Sequence, residues 1–207
     1  MTAATSATTA PNHHAEHPGM HGVAGVLAGL SMALGGRQRV HLALELADLQ
    51  PDDDVVDVGC GPGRATRAAA RRAATVIGID PAPTMLRMAR AWPGRGRRRV
   101  TWRPGTAEDL PVADGAASVV WSIATVHHWR DVDAGLAEAR RVLRPGGRLV
   151  VIERWRLPSA VSGLASHGWT DAQTTAFADA CHAAGFPRVE RAVHRARRDT
   201  WVSVVAR

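Results

Sequence analysis

The sequence predicts an α/β fold on a parallel sheet with an antiparallel edge at its C-terminal end. Three observations predict it. Short apolar segments alternate with longer helical ones from residue 55 onward, the pattern of βαβ units. A glycine-rich turn, Asp57-Val58-Gly59-Cys60-Gly61-Pro62-Gly63, joins the first such strand to the first such helix. After the last helical segment, residues 188–206 alternate like two strands joined near Arg198-Asp199.

The elements follow in order. Residues 1–22 are rich in Thr, Ala, His, Pro and Gly without periodicity, and are expected to be mobile. Residues 23–50 read as cap helices in two pieces broken at Gly35-Gly36, and Pro51 opens the acidic turn Asp52-Asp53-Asp54. Strands are predicted at Val55–Gly59, Thr75–Asp80, Val100–Arg103, Ser118–Ile123 and Arg148–Glu153. Helices are predicted at Arg64–Ala74, Ala82–Trp92, Val132–Leu143 and Thr170–Ala184. Pro145-Gly146-Gly147 and Gly185 with Pro187 supply the stops. A length of 207 residues makes one domain the default, 23–207 behind the 1–22 segment.

Hydrophobic residues make up 45% and charged residues 22%, which excludes a largely disordered chain, a collagen-like repeat and a coiled coil. All 26 Lys+Arg residues are Arg, Tyr is absent, and the net charge is +7. Such basicity invites a nucleic-acid reading. Residues 1–54, however, hold two arginines against six carboxylates, so the positive charge belongs to the main body. Few aromatics interleave with Arg95, Arg97, Arg98 and Arg99, so stacking platforms for bases are missing. The whole pattern of Arg without Lys, with abundant Ala and Gly, fits a coding bias better than a phosphate footprint. Cys60 and Cys181 are too few for a disulfide framework and lack CxxC spacing. The longest apolar run, Val23–Leu34, has 12 residues, short of a membrane span. The expectation is a cytoplasmic protein. His13, His14, His17 and His21 have spacing a metal accepts, but Pro11 and Pro18 interrupt the segment and no Cys joins them, so no metal is expected.

The glycine turn carries the strongest chemical signal. Glycines there let a ligand approach the backbone closely. The spacing is GxGxG, not the GxGxxG of nicotinamide and flavin sites, and without Lys a phosphate-binding P-loop is excluded. Asp80 ends the second strand, where a carboxylate either accepts ribose hydroxyls or caps the helix that starts at Pro81. Thr106-Ala107-Glu108-Asp109-Leu110-Pro111 forms a polar turn between the third and fourth strands.

Taken together, DVGCGPG, GIDPAPTML, GTAEDLP, SVVWSIATVHHW and LRPGGRLVVIE resemble a class I S-adenosylmethionine-dependent methyltransferase of the small type that includes the ubiquinone and menaquinone methyltransferases. The likeness spans roughly residues 45–155. It implies a doubly wound, Rossmann-like sheet of seven strands, mostly parallel with an antiparallel C-terminal strand. It implies S-adenosylmethionine as cofactor and S-adenosylhomocysteine as product. By the same resemblance, the backbone of Gly59, Cys60 and Gly61 faces the methionine moiety, Gly63 belongs to the same cofactor-binding loop, and Asp57 supports the loop and the amino group. Asp80 takes the ribose, with Pro81 and Met85 flanking. Thr106, Ala107 and Glu108 surround the adenine, and Ser122 and Ile123 lie beneath the sulfonium.

Methyl transfer needs alignment first, and a base only where the nucleophile must lose a proton. His127, which His128 follows, is the candidate base or substrate contact; packing is the competing role. The chain has no Asn/Asp-Pro-Pro-Tyr/Phe after the fourth strand, as enzymes acting on exocyclic amines have, and lacks the cysteines of arsenite methyltransferases. The expected acceptor is a small molecule with an O, N, S or C nucleophile, aromatic or isoprenoid-like, under an apolar lid of Met20, Leu27, Leu30, Met32, Leu34 and Trp155. The expected assembly is a monomer or homodimer. The alternatives are an RNA- or DNA-modifying methyltransferase and a non-catalytic cofactor-binding protein.

Overall fold

A computed structural model of the chain describes residues 36–91, 99–157, 168–196 and 199–207. The expected mobile segment 1–22, the first cap-helix piece, the N-terminal histidines, the five lid residues before Gly35, and Arg95, Arg97 and Arg98 lie outside the described residues.

In chain order the elements are α1 (Arg37–Ala47), β1 (Asp54–Val58), α2 (Arg64–Ala69), β2 (Thr75–Asp80), α3 (Pro83–Ala91), β3 (Val100–Pro104), β4 (Ala117–Ile123), a 3-10 turn (Val126–His128), α4 (Val132–Val142), β5 (Leu143–Arg154), α5 (Asp171–Ala183), β6 (Val189–Arg195) and β7 (Thr200–Ala206). The seven strands form one sheet in the order β3-β2-β1-β4-β5-β7-β6. Strands β1 to β5 pair in parallel, while β7 runs antiparallel to both β5 and β6. This is the predicted doubly wound architecture with its reversed C-terminal strand.

The central strands are buried on both faces, so they read as continuous apolar runs. Their period of two sorts the core. Val56, Val120 and Val151 join α4 and α5 through Leu136, Ala139, Phe177 and Cys181 on one face. Val55, Val119 and Val150 join α1 and α2 through Ala43, Leu44, Ala68 and Ala69 on the other.

Most boundaries fall within one residue of the sequence reading, and two depart by several. The helix expected to reach Ala74 stops at Ala69, and Ala74 instead donates its N–H to the Asp53 carbonyl at 2.9 Å. The chain must return to the amino edge of the sheet before β2 can start. Strand β5 begins at Leu143 rather than Arg148, because Leu143 already pairs with Ala117 before a register shift carries the ladder on from Arg148 and Val119. Helix α5 starts where a reciprocal cap forms: Thr170 accepts from the Gln173 N–H, and the Gln173 side chain accepts from the Thr170 N–H.

Strand β1 leads to β2 on one side of the sheet while β4 lies on its other side. The carboxyl ends of β1 and β4 therefore meet at a topological switch point, the place where open α/β sheets open a crevice.

Candidate active site

The glycine loop begins where β1 ends. Gly59, Gly61 and Gly63 all sit at positive φ, at 74°, 53° and 78°, so glycine avoids the left-handed penalty here. Two of the three also have close neighbours. A Cβ on Gly59 would stand 2.6 Å from the Thr125 side chain, and one on Gly63 would collide with the Trp102 ring.

The loop's donors are already committed. Gly59 and Cys60 both donate to the Ile79 carbonyl at 2.9 Å, Gly63 donates to the Cys60 carbonyl at 2.9 Å, and Gly61 donates to Asp80 Oδ2 at 2.8 Å. Pro62 has no N–H. A phosphate cradle points such donors at its ligand; this loop turns them into the protein.

Asp80 is 7% exposed. Its Oδ1 accepts the Ala82 N–H at 2.9 Å while Oδ2 holds Gly61. The capping role is therefore real. Each carboxylate oxygen takes about two hydrogen bonds, so one acceptor position per oxygen remains for a ligand hydroxyl. Burial pushes the Asp80 carboxyl above its ordinary range, against the two backbone donors.

Asp57 is 2% exposed and accepts from the Thr66 hydroxyl at 2.5 Å. Burial raises its pKa from 3.8 to about 7, opposed by Thr66 and by the nearby Trp121 indole, with Asp80 pushing it up further. The Trp121 N–H favours the ionised form through proximity only, since it makes no hydrogen bond of good geometry. None of these groups is a cation. Burial, Asp57 and Asp80 together hold the Cys60 thiol well above its usual range, so Cys60 is not a reactive thiolate.

At the end of β4, Ser122 is wholly buried and Ile123 half-buried. Ser122 Oγ lies 2.5 Å from Thr125 Oγ1, which also donates to the Val58 carbonyl at 3.1 Å. Ala124 stands in the left-handed region at φ 57°, an uncommon conformation for a residue with a Cβ. The turn that follows presents His127, whose Nδ1 lies 2.8 Å from Glu153 Oε2. Glu153, at 0% exposure, also accepts the Val126 N–H at 2.8 Å and the His127 N–H at 3.4 Å on Oε1.

The structure brings Asp57, Gly59, Cys60, Gly61, Asp80, Ser122 and His127 to the carboxyl edge around the switch point. Gly63 sits one step back, under Trp102. Ala107 is buried and Thr106 exposed, in a turn where Thr106 pairs with Asp109. Glu108 Oε1 accepts the N–H groups of Arg130 and Asp131 at 2.7 and 3.2 Å, tying its turn to the start of α4. Pro81 is exposed, while Met85 is buried on α3. Trp155 remains in contact with the core, its indole donating to Asp171 at 2.8 Å.

Sequence reading missed Thr66, Trp102, Thr125 and Glu153. Thr66 and Thr125 look like ordinary helix and turn residues. Glu153 had a signal: an acid closing the apolar run RLVVIE, where burial without a partner would be costly.

Residues 56–151 match the family model described as a methyltransferase domain. The chain carries a class I S-adenosylmethionine-dependent methyltransferase domain. A demethylmenaquinone methyltransferase of Tropheryma whipplei is 39% identical over 113 residues, 54% of this chain and 46% of that protein. A ubiquinone biosynthesis O-methyltransferase of Azorhizobium caulinodans is 35% identical over 97 residues, 47% of this chain and 38% of that protein. The chain spans about half the length, or less, of these curated relatives. A crystal structure of an Aquifex aeolicus SAM-dependent methyltransferase superimposes with a TM-score of 0.67 at 18% identity, covering 84% of this chain and 95% of that one. At that identity the likeness is one of fold.

The methyltransferase domain has an edge that suits this cofactor's charge. Two buried carboxyls flank a loop with no N–H left for an anion, which fits a sulfonium and an ammonium and disfavours a pyrophosphate. No helix among the described residues is long and apolar enough to cross a membrane, and no cluster of metal-ligating side chains occurs among them.

Proposed function

We propose that the protein transfers a methyl group from S-adenosylmethionine to a small-molecule acceptor of quinol-like or phenolic character. The observation that carries the cofactor reading is the inward-turned glycine loop between Asp57 and Asp80. The relatives' names, both quinone-related, support the acceptor class. The bound cofactor supplies an electrophilic methyl carbon on a sulfonium.

The chain's residues do the rest. Asp57 braces the loop through Thr66 and offers negative charge to the cofactor's cationic end. Asp80 presents its remaining acceptor positions to the ribose hydroxyls, with Pro81 and Met85 beside it. Thr106 and Ala107 border the adenine, and Glu108 fixes their turn against α4. Ser122 and Ile123 form the floor beneath the reacting carbon, and Thr125 ties that floor to the Val58 carbonyl at the end of β1. The protein's main contribution is alignment in a water-poor crevice.

Several of the described arginines are engaged within the fold, which weighs against a nucleic-acid role. Arg67 donates to the carbonyls of Pro62 and Ala89, Arg99 to that of Ala73, and Arg148 and Arg141 to Asp53 and Glu138.

Titration calorimetry tests the reading. S-adenosylhomocysteine is expected to bind and NAD not to bind. Asp80→Ala is expected to weaken S-adenosylhomocysteine by about 1–3 kcal/mol, the cost of losing a charged hydrogen-bond partner. Unchanged affinity in Asp80→Ala sinks the ribose assignment, and NAD binding in place of S-adenosylhomocysteine sinks the whole reading.

A further inference from the structure

We infer that Glu153 is a positioning residue that makes His127 the general base for methyl transfer to a weakly acidic hydroxyl, the pair forming a dyad at the switch point between β1 and β4. The inference rests on the methyltransferase reading above.

The geometry divides the Glu153 carboxylate into two jobs. Oε1 takes the N–H groups of Val126 and His127 and so fixes the turn. Oε2 takes His127 Nδ1 at 2.8 Å. A carboxylate accepts and does not donate, so Nδ1 carries the hydrogen and the lone pair falls on Nε2. The side chains are 10% and 0% exposed for His127 and Glu153. A buried acid that only capped a turn would not need to aim its second oxygen at an imidazole. Other charged and titratable groups stand nearby. His128 packs its ring 4.1 Å from that of His127. From α1, Arg39 feels the charge of Glu153, of Arg64 on α2, and of Asp199 before β7.

The dyad matters for one acceptor class. Tertiary amines have no proton to lose, and thiols ionise readily without help. A phenol or quinol hydroxyl is a poor nucleophile until its proton leaves. In the step, the acceptor O–H proton passes to His127 Nε2 and the oxygen's electron pair forms the bond to the methyl carbon. The carbon–sulfur bond breaks with its pair staying on sulfur, leaving a neutral thioether. Glu153 balances the imidazolium, which then returns its proton to water.

Glu153→Gln is the sharp test because it keeps shape and reverses the hydrogen bond. With Oε1 still receiving two backbone donors, the new amide NH2 faces Nδ1 and forces the hydrogen onto Nε2. Proton–nitrogen NMR of His127 should show the Nδ1–H tautomer in the wild type and Nε2–H in Glu153→Gln. Methyl transfer is then measured on phenols graded from weakly to strongly acidic, with a thiol and a tertiary amine beside them. Glu153→Gln and His127→Gln should lose about 10²–10⁴-fold in kcat on weakly acidic phenols. On strongly acidic, already ionised phenols they should lose little. S-adenosylhomocysteine affinity should stay within a few-fold, and imidazole should restore part of the activity of His127→Ala. The inference is overturned by an unchanged tautomer, by losses independent of phenol acidity, or by transfer to the thiol or amine alone. If Glu153→Gln does not fold, the acidity dependence in His127→Gln and imidazole rescue decide the matter. Absence of S-adenosylhomocysteine binding in the wild type would instead strike the underlying reading.

Discussion

Asp53 and Asp57 lie four residues apart at opposite ends of β1, and the fold treats them in opposite ways. Both are buried, at 4% and 2% exposure. At the amino edge, burial alone would raise Asp53. Hydrogen bonds from Arg148, Ser118 and the Gln50 N–H, with the charge of Arg148, more than offset it and hold the carboxyl below 3.8. Arg148 reaches Asp53 Oδ2 at 2.7 Å and also bonds the Ala47 and Asp48 carbonyls. One ion pair thus ties α1, β1 and β5 together, with Ser118 adding β4. At the carboxyl edge Asp57 has a hydroxyl for a partner and no cation, and its pKa rises to about 7. An edge built for stability neutralises its buried acid. The carboxyl edge leaves its buried acid unneutralised, which is what the proposed binding of a cationic ligand there asks of it.

The largest test strikes the amino edge. Arg148→Ala leaves Asp53 buried without its cation and frees two carbonyls, so unfolding in urea should show a loss of about 3–5 kcal/mol. S-adenosylhomocysteine affinity of the folded fraction should not change. A loss below 1 kcal/mol, or one that weakens binding as much as folding, would erase the distinction between the edges.

Next comes Asp57→Asn at the other end of the strand. Because the native carboxyl holds its proton more tightly than the unfolded one, the wild type loses stability as pH rises from about 4 to about 7. That loss is at most ~4 kcal/mol for the shift concerned. Asn removes the slope. The variant should therefore match the wild type near pH 4 and exceed it at pH 8, while binding S-adenosylmethionine more weakly. Asp53 contributes with the opposite sign, in a lower window. Its stabilisation is present above 3.8 and disappears as pH falls through its depressed native value. Equal stability of Asp57→Asn and wild type at pH 8 would mean that Asp57 is not strained by its burial.

Much of this was legible in the sequence. The βαβ alternation, the reversed last strand and the glycine turn before Asp80 all depend on local pattern, and each stands where it was read. The partnerships were not legible. Arg148 and Asp53 are 95 residues apart, and His127 and Glu153 are 26 apart. Only the parallel register of β1, β4 and β5 brings them together. The two readings of Asp80, cap and ligand group, looked exclusive because a sequence shows one side chain; the structure shows two oxygens with separate partners. Gly63 was read with the other glycines as a ligand contact, since nothing in GxGxG reveals that Trp102, on the edge strand β3, lies over its Cα.

That last case gives the smallest and most local test. Gly63 carries φ 78°, and a Cβ there runs into the Trp102 ring, which also covers Gly78 at 2.6 Å from its Cβ position. Gly63→Ala should cost about 1–3 kcal/mol, combining left-handed strain with displacement of the ring. Trp102→Leu removes the obstruction but not the strain, so in that background the cost of Gly63→Ala should fall to about 1 kcal/mol. Denaturant unfolding of the two single variants and the double variant measures the coupling. Additive effects would mean that Trp102 yields freely and that Gly63 is kept for its backbone alone. Strong coupling, with S-adenosylhomocysteine affinity unmoved in the double variant, would separate the third glycine of the motif from the two that face Asp80 and Thr125. It would confine the ligand-facing part of the loop to Gly59–Gly61.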